Sequence, residues 1–171
     1  SDDRVIVAPE ALNRFYLDDP AIRHGPDSPI GASWMTREDR EREIADYVDY
    51  LDAVVNAVAA ESPKGVRVTG LGFSQGAATI CRWAALGKTK LTRVIVWGGT
   101  LPQDLPAANG AALFRGAEVV LVGGRKDRLA TPEGLEGDRT SLVERSIAAR
   151  VMWHDGGHVL SSSLLRELAA Q

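Results

Sequence analysis

The sequence predicts an α/β protein in which a mostly parallel sheet carries helices on both faces. Three observations point there. Apolar runs of strand length recur along the chain, and most are closed by Gly or Pro. Longer stretches with apolar residues at three- and four-residue steps lie between some of them. Between one run and the helix-like stretch after it stands Gly72-Phe73-Ser74-Gln75-Gly76, a G-x-S-x-G pattern of the kind that lifts a serine off a strand end at the mouth of a helix. Continuous apolar strands separated by helices suit a sheet buried on both faces.

The elements follow in order. Arg4-Val5-Ile6-Val7-Ala8, stopped by Pro9, reads as a buried strand. Glu10 to Ser33 carries Gly25, Gly31, Pro20, Pro26 and Pro29 and no clear period, so it reads as a long loop, with His24 as a solvated loop histidine. Thr36, with Asp39 three residues on, resembles a capping box. The helix it opens runs from about Arg37 to Ala60, with Ile44, Tyr47, Val48, Leu51, Val54, Val55 and Val58 on one stripe. Its charged first turns, Arg37 to Glu43, read as a solvated face, and Ser62-Pro63-Lys64-Gly65 ends it.

Val66, Val68 and Leu71 form the strand before the serine turn, and Ala77 to Leu86 the helix after it. Arg93 to Trp97 is the next strand, closed by Gly98-Gly99. Thr100 to Gly116 is mostly loop, with one turn of helix expected near Ala111. Ala117 to Val122 is a strand ending in Gly123-Gly124-Arg125-Lys126-Asp127, and a weaker helix lies near Thr140 to Ser146. Ala148 to Trp153 is the last strand, followed by His154-Asp155-Gly156-Gly157-His158. A helix from about Ser161 to Ala170 packs Leu164, Leu165 and Leu168.

The totals bound the function. A length of 171 residues predicts one domain, 1–171. A net charge of −3 without any basic run argues against a nucleic-acid partner. The apolar stretches are strand-sized, so no membrane span is expected. Cys81 is the only cysteine, so no internal disulfide is possible and a reducing cytoplasm is the expected location. Cys81 itself reads as core packing.

Ligands of parallel sheets sit at the carboxyl ends of the strands. Ser74, Asp127 and His158 each follow a different predicted strand. A serine hydroxyl needs a base within hydrogen-bond reach, and the base needs a carboxylate to hold its tautomer. The order Ser, Asp, His is the one α/β-hydrolases use. Alternatives remain at this level. Asp104, after the Trp97 strand, is the main rival carboxylate; Asp138 and Asp155 also compete. His154 competes with His158, although its place beside Trp153 suggests packing. Gly156-Gly157 suits a turn that points the His158 ring back into a site. Gly72 and Gly76 read as removing side chains that would collide where strand and helix close up. Phe73, Trp34, Met35, Trp97 and Leu101 are candidates to line an apolar pocket, with core packing the default reading for each. Only three histidines exist and none shows ligand spacing with another, so neither metal nor cofactor is expected.

Ala8-Pro9-Glu10-Ala11-Leu12, Ala32-Ser33-Trp34-Met35, Gly72-Phe73-Ser74-Gln75-Gly76-Ala77, Val122-Gly123-Gly124-Arg125-Lys126-Asp127 and Gly156-Gly157-His158 together resemble the phospholipase/carboxylesterase family of α/β-hydrolases, to which acyl-protein thioesterases belong. The resemblance runs along essentially the whole chain. It implies an α/β-hydrolase-type sheet, a serine esterase or thioesterase, and an acyl-enzyme intermediate. It makes Ser74 the nucleophile, His158 the base then acid, Asp127 the orienting carboxylate and the Gln75 backbone N–H an oxyanion donor. Trp34 would lie beside the acyl pocket. The family's sheet also has earlier strands, including a central one whose His-Gly loop supplies a second oxyanion donor. Nothing here matches them, so the resemblance implies an N-terminally truncated sheet. Its open edge would invite self-association. The alternative function is therefore a catalytically weak or inactive hydrolase serving as a binding or assembly module.

Overall fold

The computed structural model describes residues 4–106 and 113–171. Two sheets are present among them. Asn13–Tyr16 (β1) pairs antiparallel with Ile30–Ser33 (β2) in a small ribbon. Val68–Phe73 (β3), Leu91–Trp97 (β4), Glu118–Gly124 (β5) and Ala149–His154 (β6) form an all-parallel sheet in the order β3-β4-β5-β6. The helices are Arg40–Ala60 (α1), Gln75–Leu86 (α2), Pro132–Glu144 (α3) and Ser162–Ala170 (α4).

Alternation along β4 and β5 builds two cores, because successive side chains in a strand point to opposite faces. Val94, Val96, Val119 and Leu121 face α1, α2 and α3, meeting Tyr47, Leu51, Ile80, Cys81, Leu135 and Leu142. Ile95, Trp97, Val120 and Val122 face α4, meeting Leu164 and Leu168. Helices thus cover both faces, and the α/β class read from the sequence is the class observed.

Several elements differ from expectation. Val5, Ile6 and Val7 form no strand and are 71%, 93% and 45% exposed. Apolar composition makes a strand only where a neighbouring backbone accepts its hydrogen bonds, and none pairs with this run among the described residues. The long loop from Glu10 to Ser33 instead contains the β1–β2 ribbon, whose four-residue strands are too short for periodicity to show. The capping box at Thr36 does not form. Asp39, at φ 46°, precedes α1 without a side-chain cap, and the Thr36 N–H donates to Glu43 Oε2 at 2.6 Å. The helix near Thr140 starts earlier, at Pro132, with the Thr131 hydroxyl accepting from the Gly134 N–H at 3.2 Å. The turn of helix expected near Ala111 lies outside the described residues.

Candidate active site

Three strand ends converge. β3 delivers Ser74 at φ 55° and ψ −117°, a conformation sparsely populated by residues other than glycine. Two backbone bonds hold it there: the Ser74 N–H donates to Trp97 O at 2.9 Å, and the Ala77 N–H donates to Ser74 O at 3.0 Å. Of the two motif glycines, Gly72 is the one the turn requires. A Cβ there would lie 1.9 Å from Gly76 O, whereas a Cβ on Gly76 would meet nothing within 4 Å. The expectation that both remove colliding side chains is corrected accordingly: the obstacle is the helix backbone, and it faces only Gly72.

β5 delivers Asp127, which is buried. Its Oδ1 accepts the Leu129 N–H at 2.8 Å and the Ala130 N–H at 3.1 Å. Burial alone pushes this carboxyl up. The bonds from His158 and from the two backbone N–H groups together outweigh it and hold the group below the usual aspartate range.

β6 delivers His158. The crossing after β6 is knitted to the one after β5 by Arg125 N–H to His154 O at 2.8 Å and Lys126 N–H to Gly156 O at 3.0 Å. That closeness depends on Gly124, where a Cβ would sit 2.4 Å from the carbonyl oxygens of both Gly156 and Gly157. His158 Nδ1 lies 2.9 Å from Asp127 Oδ2, and its Nε2 lies 2.9 Å from Ser74 Oγ. An ionised carboxylate can only accept, so the ring proton sits on Nδ1. Nε2 is then free to accept the Ser74 O–H. Phe73 packs on the ring, centroid to centroid 4.8 Å.

The rival groups lie elsewhere. Asp104 accepts from Arg82 Nε at 3.0 Å and Arg40 Nη2 at 2.7 Å, in an ion cluster between α1 and α2. Asp138 accepts the Leu101 N–H at 2.8 Å. Asp155 is exposed, 3.8 Å from Arg125. His154 Nδ1 accepts the Gly156 N–H at 3.1 Å, and the His24 ring stacks on Tyr16 at 3.9 Å. Among the pocket candidates, Trp97 is fully buried and its indole N–H donates to Val159 O at 3.1 Å, so it offers no surface to a substrate. Trp34 meets Tyr47 edge-on at 6.2 Å, and Met35 turns its sulfur towards Arg82 and Arg40. Leu101 lines a recess with Pro102, Leu105, Leu113 and Asp138, in which Ser74, Asp127 and His158 take no part.

One participant escaped the sequence reading. The Gln75 side chain reaches back to the segment after β2: its Nε2 donates to Ser33 Oγ at 3.0 Å and Met35 O at 2.9 Å, and its Oε1 accepts the Trp34 N–H at 3.0 Å. In the sequence Gln75 is marked only through its backbone N–H, as an oxyanion donor, and its side chain is given no part. Its partners lie some forty residues away and carry no local signal. Among the described residues no group of three or more His, Cys, Asp or Glu side chains could hold a metal ion, and no helix is long and apolar enough to cross a membrane.

A parallel sheet with a strained serine turn between β3 and α2 is the architecture of the α/β-hydrolases. Residues 7–164 match the model of the serine hydrolase (FSH1) family, and the chain belongs to that family. Solved structures share the fold. Arabidopsis thaliana SOBER1 superposes with a TM-score of 0.65 at 19% identity, over 84% of this chain and 74% of that one. A carboxylesterase from Mesorhizobium loti gives a TM-score of 0.65 at 19% identity, over 86% and 71%. Esterase PE8 gives 0.61 at 22%, over 82% and 68%. A comparison with curated proteins finds no match.

Proposed function

We propose that the chain hydrolyses carboxylic esters or thioesters of short to medium acyl groups, with Ser74 as nucleophile, His158 as base and Asp127 as orienting carboxylate. One observation carries this reading: the hydrogen-bond relay from Asp127 Oδ2 through the two ring nitrogens of His158 to Ser74 Oγ, both links 2.9 Å. Membership of a serine hydrolase family supports it, and so do esterases among the proteins that share the fold.

The steps follow from the groups. Ser74 Oγ attacks the acyl carbonyl as His158 Nε2 takes its proton. The carbonyl oxygen becomes an oxyanion beside the N-terminus of α2, where the Gln75 N–H is an available donor and the helix dipole favours negative charge. The imidazolium, stabilised by Asp127, returns the proton to the leaving alcohol or thiol, and the acyl group stays on Ser74. Water then attacks with the same base and frees the acid. Phe73, Trp34 and Met35 are assigned to the acyl side; Leu101, in a recess away from Ser74, is not. Lone, buried Cys81 suits a cytoplasmic setting.

A serine-directed fluorophosphonate is expected to label Ser74 stoichiometrically. Ser74→Ala should remove labelling and cut p-nitrophenyl butyrate hydrolysis by roughly 10⁵–10⁶-fold. Labelling at another residue, or turnover kept by the variant, would discard the mechanism.

A second reading has one observation in its favour. β3 is an edge strand, with no strand on its outer side among the described residues, and such edges recruit other chains. A protein that turns over no ester yet sediments as a stable oligomer would be a binding or assembly module instead.

A further inference from the structure

The β1–β2 ribbon has no ladder with the parallel sheet. Something else must fix it, together with the Ser33–Met35 segment that follows. Asn13 Nδ2 ties the ribbon to α1 through Glu43 Oε1 at 2.8 Å. On the α2 side, among the described residues, the hydrogen bonds to oxygen or nitrogen that reach this segment all come from one side chain, Gln75. That carboxamide is fully used: both amide hydrogens and the oxygen are engaged, with Ser33 Oγ, Met35 O and the Trp34 N–H. The N–H of Trp34 and the carbonyl of Met35 are held by the residue next to the nucleophile. Shape alone does not explain this, since an apolar side chain of equal length would leave both backbone groups without these partners.

We propose that the Gln75 side chain is a positioning residue which fixes the Ser33–Met35 segment against the nucleophile turn, and thereby sets how an acyl chain lies along Trp34. The proposal rests on the hydrolase reading above for its substrate, and on the clamp alone for its structural half. Gln75 acts in two ways: its backbone N–H faces the oxyanion, while its side chain holds the wall of the acyl site. A strained turn, the segment along Trp34 and the end of the β1–β2 ribbon at Ser33 are thus coupled through one residue.

Gln75→Met keeps length and helix propensity but removes every side-chain hydrogen bond. The expected result is a fall of about tenfold in the ratio of kcat/KM for p-nitrophenyl hexanoate to that for the acetate, carried by KM. Proteolytic cleavage within residues 17–29 should also speed up. Ser33→Ala, which removes one partner and keeps the others, should shift both readouts the same way by less. Equal losses on both esters, carried by kcat, would place the effect in the oxyanion site and overturn the proposal. So would an unchanged ester ratio with unchanged proteolysis. If the wild-type protein neither hydrolyses esters nor takes the fluorophosphonate label, the hydrolase reading fails by itself; proteolysis then decides the clamp, with faster cleavage in Gln75→Met supporting it and equal cleavage overturning it.

Discussion

Ser74 occupies backbone angles that cost about 1–3 kcal/mol, and the cost persists only because neighbours over-determine it. Gly72 is one such neighbour. Gly72→Ala would push a methyl into the Gly76 carbonyl at 1.9 Å, which neither strand nor helix can relieve without parting. The expected cost exceeds about 3 kcal/mol, read as a lower urea midpoint or as failure to fold. Asp127 is the proposed orienting carboxylate. Asp127→Asn keeps size but presents an amide to His158, which favours the wrong ring tautomer. A loss of about 10³–10⁴-fold in kcat is expected, with little change in KM. Cys81 shows the opposite case. Its thiol is buried, and burial chiefly, with help from the Asp138 charge, pushes it up to about 12. Iodoacetamide should leave the folded protein unmodified and react after denaturation.

The helices are held by a few buried polar knots as much as by apolar packing. Asp52, on α1, accepts the Trp83 indole N–H at 2.8 Å and the backbone N–H groups of Lys88 and Thr89 at 2.6 and 2.9 Å. It therefore ties α1 to α2 and to the turn that feeds β4. Burial pushes its carboxyl up, but these donors prevail and it sits below the usual range. Asp52→Ala should cost about 2–4 kcal/mol, because buried donors lose a charged acceptor; Asp52→Asn should cost less. Thermal unfolding of the pair measures the difference. Four residues after Val48 and three before Val55, Asp52 flanks the apolar stripe, unlike Asp46 and Asp49, but the donors it meets leave no mark in the local sequence. The strands behave differently. β4 and β5 were legible because both faces are buried and the sequence reads as continuous Val, Ile and Leu. The β1–β2 ribbon, exposed along most of its length, leaves no such trace.

Across the molecule, acid should act through paired carboxylates. Asp104 is raised by burial and lowered further by Arg40 and Arg82, with a net fall. Glu118 is lowered first by Arg150, then by Arg93, against burial, and it joins β4, β5 and β6 at the sheet's lower end. With Asp52 and Asp127 these make four groups whose folded pKa lies below the unfolded value. Their stabilisation is present above the ordinary carboxylate range, about 3.9–4.3, and is lost as pH falls through the depressed values. Asp138, pushed up by burial, works in the opposite sense, but against four lowered groups the urea midpoint should still fall below about pH 4. Asp104 and Glu118 are partly open to solvent and screened by it, so the drop should be smaller than a simple sum. A midpoint flat down to pH 3 would contradict the pairing.

Local chemistry was enough to announce the strands of the parallel sheet, the long helix α1 and the serine turn, since buried alternation, helical stripe and glycine spacing are written in neighbouring residues. It also ordered the serine, the aspartate and the histidine along the chain. Which carboxylate meets which ring, and which apolar run finds a partner strand, depended on contacts between residues distant in sequence. Asp104 and Asp127 look alike as text; one faces two arginines and the other an imidazole. Val5 to Val7 reads like β4, yet lies exposed. Hydrogen bonds and burial belong to pairs of groups, and in this chain the deciding partners were brought together by the fold.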